Sequence, residues 1–177
     1  MSSENKSGKV GMILFLAAET MFFAGLVSAY LILRAKFSNW PPLGQPRLPV
    51  YSTGINTAFL LLSAFTFQRG VKNSDRNWIS ITFILGTLFL VLQGTEWVKL
   101  LSFGLTGDQN IYAGSFYLII GAHGAHVLAA LVFLLILALQ AGKIDPARLT
   151  LRLEAARYYW FFVVGIWPVL YFLVYIL

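Results

Sequence analysis

Cysteine is absent from the 177 residues, and histidine occurs only twice. Without thiols the chain has no c-type haem attachment, no iron–sulfur cluster, no thiolate-bound copper and no disulfide. Charge is also scarce: charged residues make up 11% of the chain, against about 25% in soluble domains. No phosphate loop, nucleotide fingerprint or nucleophile–base pair is present. No catalytic residue is therefore expected, and the chain is a poor candidate for an enzyme acting alone. No internal repeat is visible, which weighs against a transporter built from paired halves.

What remains is apolar surface. Hydrophobic residues make up 58% of the chain, mean hydropathy is +0.74, and both values indicate a polytopic membrane protein. The net charge of +6 is spread over short connectors without forming a stripe, so nucleic acid is not an expected partner. A polar tail over residues 1–10 precedes an apolar run from Gly11 to Leu33 that shows no cleavage site and is expected to stay in the membrane. Further spans are expected at about 51–67, 78–101, 111–140 and 158–177. The expected fold is an all-α integral membrane protein, with five transmembrane helices in one bundle over residues 11–177. The proline-rich stretch from Phe37 to Val50 is expected to be a stiff, non-helical loop.

Nine basic residues (Lys6, Lys9, Arg69, Lys72, Arg76, Lys143, Arg148, Arg152, Arg157) fall on one side of this topology and four (Arg34, Lys36, Arg47, Lys99) on the other. Short basic loops resist translocation, so the N-terminus is expected in the cytoplasm and the C-terminus outside.

Four polar residues within the spans call for an explanation, because ionisable groups at membrane depth are costly and often functional. Glu19 lies in the first run, about 12 Å from its start. It must be protonated, paired or hydrogen-bonded, serving either as a packing contact or in a proton-linked role. His123 and His126 sit three residues apart in Gly121-Ala122-His123-Gly124-Ala125-His126-Val127, where the small residues permit close helix approach.

Two side chains on one face of one helix cannot ligate opposite faces of a haem. Neither Glu19 nor Glu96 is followed by histidine at the Glu-x-x-His spacing of di-iron bundles. Neither a cofactor nor a metal is therefore expected in this chain. A hydrogen bond from Glu19 to His123 or His126 is the expected arrangement. Glu96 is expected to pair with Lys99 one turn on, at the membrane boundary. Trp97 and the Tyr158-Tyr159-Trp160 cluster read as interfacial aromatics, and Trp167-Pro168 as a kink.

Several collinear stretches resemble one family, subunit III of the haem–copper terminal oxidases. Ile111-Tyr112-Ala113-Gly114-Ser115-Phe116-Tyr117 and Gly121 to Val127 are similar to its Tyr-Gly-Ser-Phe and Gly-x-His-Gly-x-His-Val signatures. Gly11-Met12-Ile13-Leu14-Phe15 and Glu19-Thr20-Met21-Phe22-Phe23 resemble the helix bearing the family's carbodiimide-reactive glutamate, which maps onto Glu19. Trp40-Pro41-Pro42-Leu43-Gly44, Asn56-Thr57, Ser63, Leu85-Gly86, Phe89, Gln93, Glu96-Trp97, Glu154-Ala155-Ala156 and Tyr158-Tyr159-Trp160 continue the likeness. The first span corresponds to the third helix of the seven-helix form. Phe161 and Val164 stand where relatives carry His and Asp.

The resemblance implies a non-redox accessory subunit of a proton-pumping cytochrome c oxidase in a bacterial cytoplasmic membrane. Its partners would be the catalytic subunit I, which carries haem and copper, other oxidase subunits and membrane phospholipids. Its role would be to support proton uptake and to stabilise the catalytic subunit, with Glu19, His123, His126 and Glu96 as the polar core. Two rival readings are the equivalent subunit of a ubiquinol oxidase or nitric oxide reductase, and a small proton-coupled transporter.

Overall fold

A computed structural model describes residues 3–73, 75–140 and 143–177. Met1 and Ser2 of the expected tail lie outside the described residues. The chain forms five helices, α1 (Ser3–Lys36), α2 (Val50–Asn73), α3 (Arg76–Ser102), α4 (Ile111–Gln140) and α5 (Pro146–Tyr171), and α5 runs on as a π-helical turn over Phe172–Ile176. Among the described residues all five are long and apolar enough to cross a membrane, and no strand is present.

Caps set the helix ends where hydropathy could not. The Asp75 carboxylate accepts from the Asn77 amide at 2.9 Å to start α3, and the Asn110 side chain accepts from the Ala113 amide at 2.9 Å to start α4. Asp145 caps α5 by accepting from the Ala147 and Arg148 amides, with Pro146 at the first helical position. The stretch from Pro146 to Arg157, read as part of a connector, is therefore helical. α2 likewise continues past Phe67 to Asn73, and α1 begins at Ser3, ahead of its apolar run. Pro168 sits inside α5, and the helix widens into the π-turn one turn later.

α2, α3, α4 and α5 form a closed ring in that order, with α5 returning onto α2, while α1 docks from outside against α4 and α5. Trp160 and Trp167 of α5 fill the ring, both fully buried. Gly86 of α3 makes room for the first: a Cβ there would stand 2.5 Å from the Trp160 ring. The Trp160 indole donates to Ser63 Oγ at 3.1 Å. Trp160 is thus a core residue, not the interfacial anchor its neighbours suggested, because the glycine on α3 admits the indole between helices.

α1 contributes a single narrow stripe. Phe23 and Tyr30 are buried, while most of its other side chains face outward. The loop over residues 37–49 carries no regular structure and is fastened to this stripe by Trp40, which packs edge-on against Tyr30 and Tyr112 and donates to the Tyr30 hydroxyl at 3.2 Å.

Candidate functional site

The seven residues from Gly121 to Val127 point three ways around α4. Gly121 faces α3, where a Cβ would stand 3.1 Å from the Trp97 ring, and Gly124 lies near Leu90 of the same helix. His123 points into the ring. It is 1% exposed and stacks on Trp167 at 4.7 Å, with Phe23 and Phe89 presenting edges to it, and neither of its nitrogens has a hydrogen-bond partner. His126, less than one turn on, points outward to α1. Its Nε2 lies 2.8 Å from Glu19 Oε2, the only ion-pairing contact among the described residues.

The proton inventory of that pair follows from its second contact. His126 Nδ1 lies 2.6 Å from the Ala122 carbonyl oxygen. A carbonyl only accepts, so Nδ1 carries a hydrogen. The 2.8 Å contact to Glu19 then contains one proton, either on the carboxyl as a neutral pair or on Nε2 as an ion pair. Both forms have zero net charge, so moving that proton along the bond creates no uncompensated charge at membrane depth. The side chains of His126 and Glu19 are 19% and 20% exposed. Phe22 stacks beside the His126 ring at 5.8 Å and is itself largely exposed, so the pair sits at an open edge of the bundle.

Glu96 is not part of that pair and does not bond to Lys99. Its carboxylate turns the other way, to α2. Ser52 Oγ lies 2.5 Å from Oε1, and Thr53 Oγ1 lies 2.7 Å from Oε2. Gln93 Nε2 reaches Oε2 at 3.4 Å and the Tyr175 hydroxyl at 2.9 Å. The expected pair with Lys99 fails because Glu96 lies on the ring-facing side of α3, where hydroxyls one helix away outcompete an exposed ammonium on its own helix. Trp97 is also drawn inward, edge-on to Tyr117 at 5.5 Å, so it packs between α3 and α4 rather than serving only as a belt residue.

Ser52, Thr53 and Tyr175 belong to this second site although no motif marks them. The signal for the first two is a stripe along α2 made of Ser52, Thr53, Asn56, Thr57, Ser63 and Thr66, which recur at helical spacing and are nearly all buried. The Trp167 indole donates to Thr57 Oγ1 at 2.8 Å, tying α5 to that stripe.

The family model for cytochrome c oxidase subunit III matches residues 3–177. The chain belongs to the cytochrome c oxidase subunit III family. A cytochrome c oxidase subunit 3 from Synechocystis sp. is 39% identical over 178 residues, covering 94% of this chain and 74% of that protein. One from Corynebacterium diphtheriae is 38% identical over 178 residues, covering 94% of this chain and 86% of its own length. A probable cytochrome c oxidase subunit 3 from Mycobacterium bovis is 36% identical over 176 residues, with shares of 94% and 86%.

Subunits of this family are accessory members of haem–copper oxidases, and this chain is an integral membrane protein belonging to such a complex. The donor set offers nothing suited to haem or copper. Both nitrogens of His126 are engaged, and His123 lies flat on an indole. Among the described residues no three His, Cys, Asp or Glu converge.

Proposed function

We propose that this subunit III, held against the catalytic subunit of a cytochrome c oxidase in a bacterial cytoplasmic membrane, supports proton uptake by that partner and slows its inactivation during turnover. The observation that carries this reading is the Glu19–His126 pair, which holds one exchangeable proton at the exposed edge of the bundle. The partner subunit carries the haems and copper that pass electrons from cytochrome c to oxygen. What this chain adds is a carboxyl group whose proton an adjacent imidazole can hold without net charge.

The basic residues support an orientation with the N-terminus in the cytoplasm and the C-terminus outside, nine against four. In that orientation Glu19 lies about 16 residues, or roughly 24 Å along the helix, from the cytoplasmic start of α1. Membrane phospholipids cover the apolar faces that the partner subunits leave free. Family membership favours this reading over a quinol-oxidase subunit or a transporter.

Purification in mild detergent followed by optical spectroscopy tests the assembly: a-type haem is expected to accompany the chain, and its absence would contradict the reading. Glu19→Gln is expected to leave haem content unchanged while weakening proton uptake. Loss of haem in that variant would show that Glu19 acts in assembly instead.

A further inference from the structure

A second opening in the fold is unrelated to the Glu19–His126 pair. Between the start of α2 and the end of α3 lies a cavity of about 370 Å³ with three chemically distinct zones. Its floor holds acceptors. Glu96 is 7% exposed, and among the described residues no cation lies within ion-pairing distance of it. Asn56 is 1% exposed; its amide nitrogen donates to the Phe89 carbonyl at 3.1 Å, and its Oδ1 is buried without a donor. The rim holds two exposed cations, Arg47 before α2 and Lys99 near the end of α3. The wall is apolar: Ile55, Leu92 and Phe103 line it, and Ile55 and Phe103 are largely exposed on the outer surface of the bundle.

A guest that satisfies all three zones presents an N–H-donating cation to Asn56 and Glu96, an anion to Arg47 and Lys99, and hydrocarbon to Ile55 and Phe103. We propose that this cavity binds the headgroup of an aminophospholipid such as phosphatidylethanolamine, its primary ammonium against Glu96 and Asn56 Oδ1 and its phosphate against Arg47 and Lys99. A choline headgroup has no N–H to give to Asn56 Oδ1. A glycerol headgroup has no cation for Glu96. A lysine from a neighbouring subunit supplies the ammonium but leaves the two rim cations without an anion.

The test uses the purified oxidase complex and a phosphatidylethanolamine carrying a photoreactive acyl chain, with crosslinks mapped by mass spectrometry. Labelling is expected on peptides containing Ile55, Leu92 or Phe103, and unlabelled phosphatidylethanolamine is expected to compete about tenfold better than phosphatidylcholine or phosphatidylglycerol. Glu96→Gln is expected to remove that preference. Because that change touches helix packing, Arg47→Gln with Lys99→Gln provides a second variant at exposed positions and is expected to reduce labelling about tenfold. Equal competition by phosphatidylcholine would overturn the proposal, as would labelling that survives the double rim variant. A carbodiimide crosslink joining Glu96 to a lysine of another subunit would also overturn it, by placing a protein in the cavity.

Discussion

Glu19 and Glu96 both lie within membrane-spanning helices, and their surroundings differ. Glu96 sits inside the ring formed by α2 to α5, held by Ser52, Thr53 and Gln93 from two helices. Glu19 sits on α1, outside that ring, with one side-chain partner on a different helix, His126. A carboxylate surrounded by hydroxyl and amide donors is fixed in place and has no base close by to take a proton. A carboxyl facing a single imidazole can exchange one. The fold thus places one glutamate within the ring and the other on the helix appended to it, and on the function proposed above the first serves packing and the second bears the proton.

This contrast can be tested by substitution. The largest effect is expected from Glu96→Ala, which strands buried donors on α2 and α3 and should cost about 2–3 kcal/mol of stability, measured by denaturing-detergent titration of the isolated subunit. A loss no larger than that of Glu19→Ala would erase the distinction. A smaller effect is expected from a double-mutant cycle of Glu19→Ala and His126→Ala, with a coupling of about 0.6–1.7 kcal/mol, from the mean to the maximum found for hydrogen bonds between membrane helices. Zero coupling would mean that the two side chains meet without contributing. The smallest effect belongs to His123→Phe. Stacking on Trp167 is kept and no hydrogen bond is lost, so stability should change by less than about 1 kcal/mol and proton uptake should stay at the wild-type rate. A large functional loss there would make His123 part of the proton-bearing site.

Hydropathy reads lipid-facing composition, which made the five spans legible in the sequence, and proline density made the non-helical loop of residues 37–49 legible. The meeting of Glu19 with a histidine of α4 was legible too, since a lone carboxyl in an apolar run needs a partner and only two histidines exist. Three features were not. The first turns of α5 lie in a stretch whose charges resemble a connector, although Asp145-Pro146 is a cap signal that marks a helix start. The direction of Glu96 depends on how α3 is rotated against α2, and a single helix does not encode that rotation. Trp160 looks interfacial until Gly86, on another helix, supplies the space for it. Contacts between helices decide the last two, and they depend on residues far apart in the chain.

The central claim is that Glu19 bears a functional proton and Glu96 does not. Proton uptake and turnover-dependent inactivation, measured side by side in the reconstituted oxidase carrying Glu19→Gln or Glu96→Gln, test it most directly. Both substitutions keep the side chain's size and its capacity to hydrogen-bond. Glu19→Gln is expected to slow proton uptake and shorten the active lifetime of the enzyme, while Glu96→Gln matches the wild type in both. Equal impairment by the two variants, or a normal Glu19→Gln enzyme, would contradict the account.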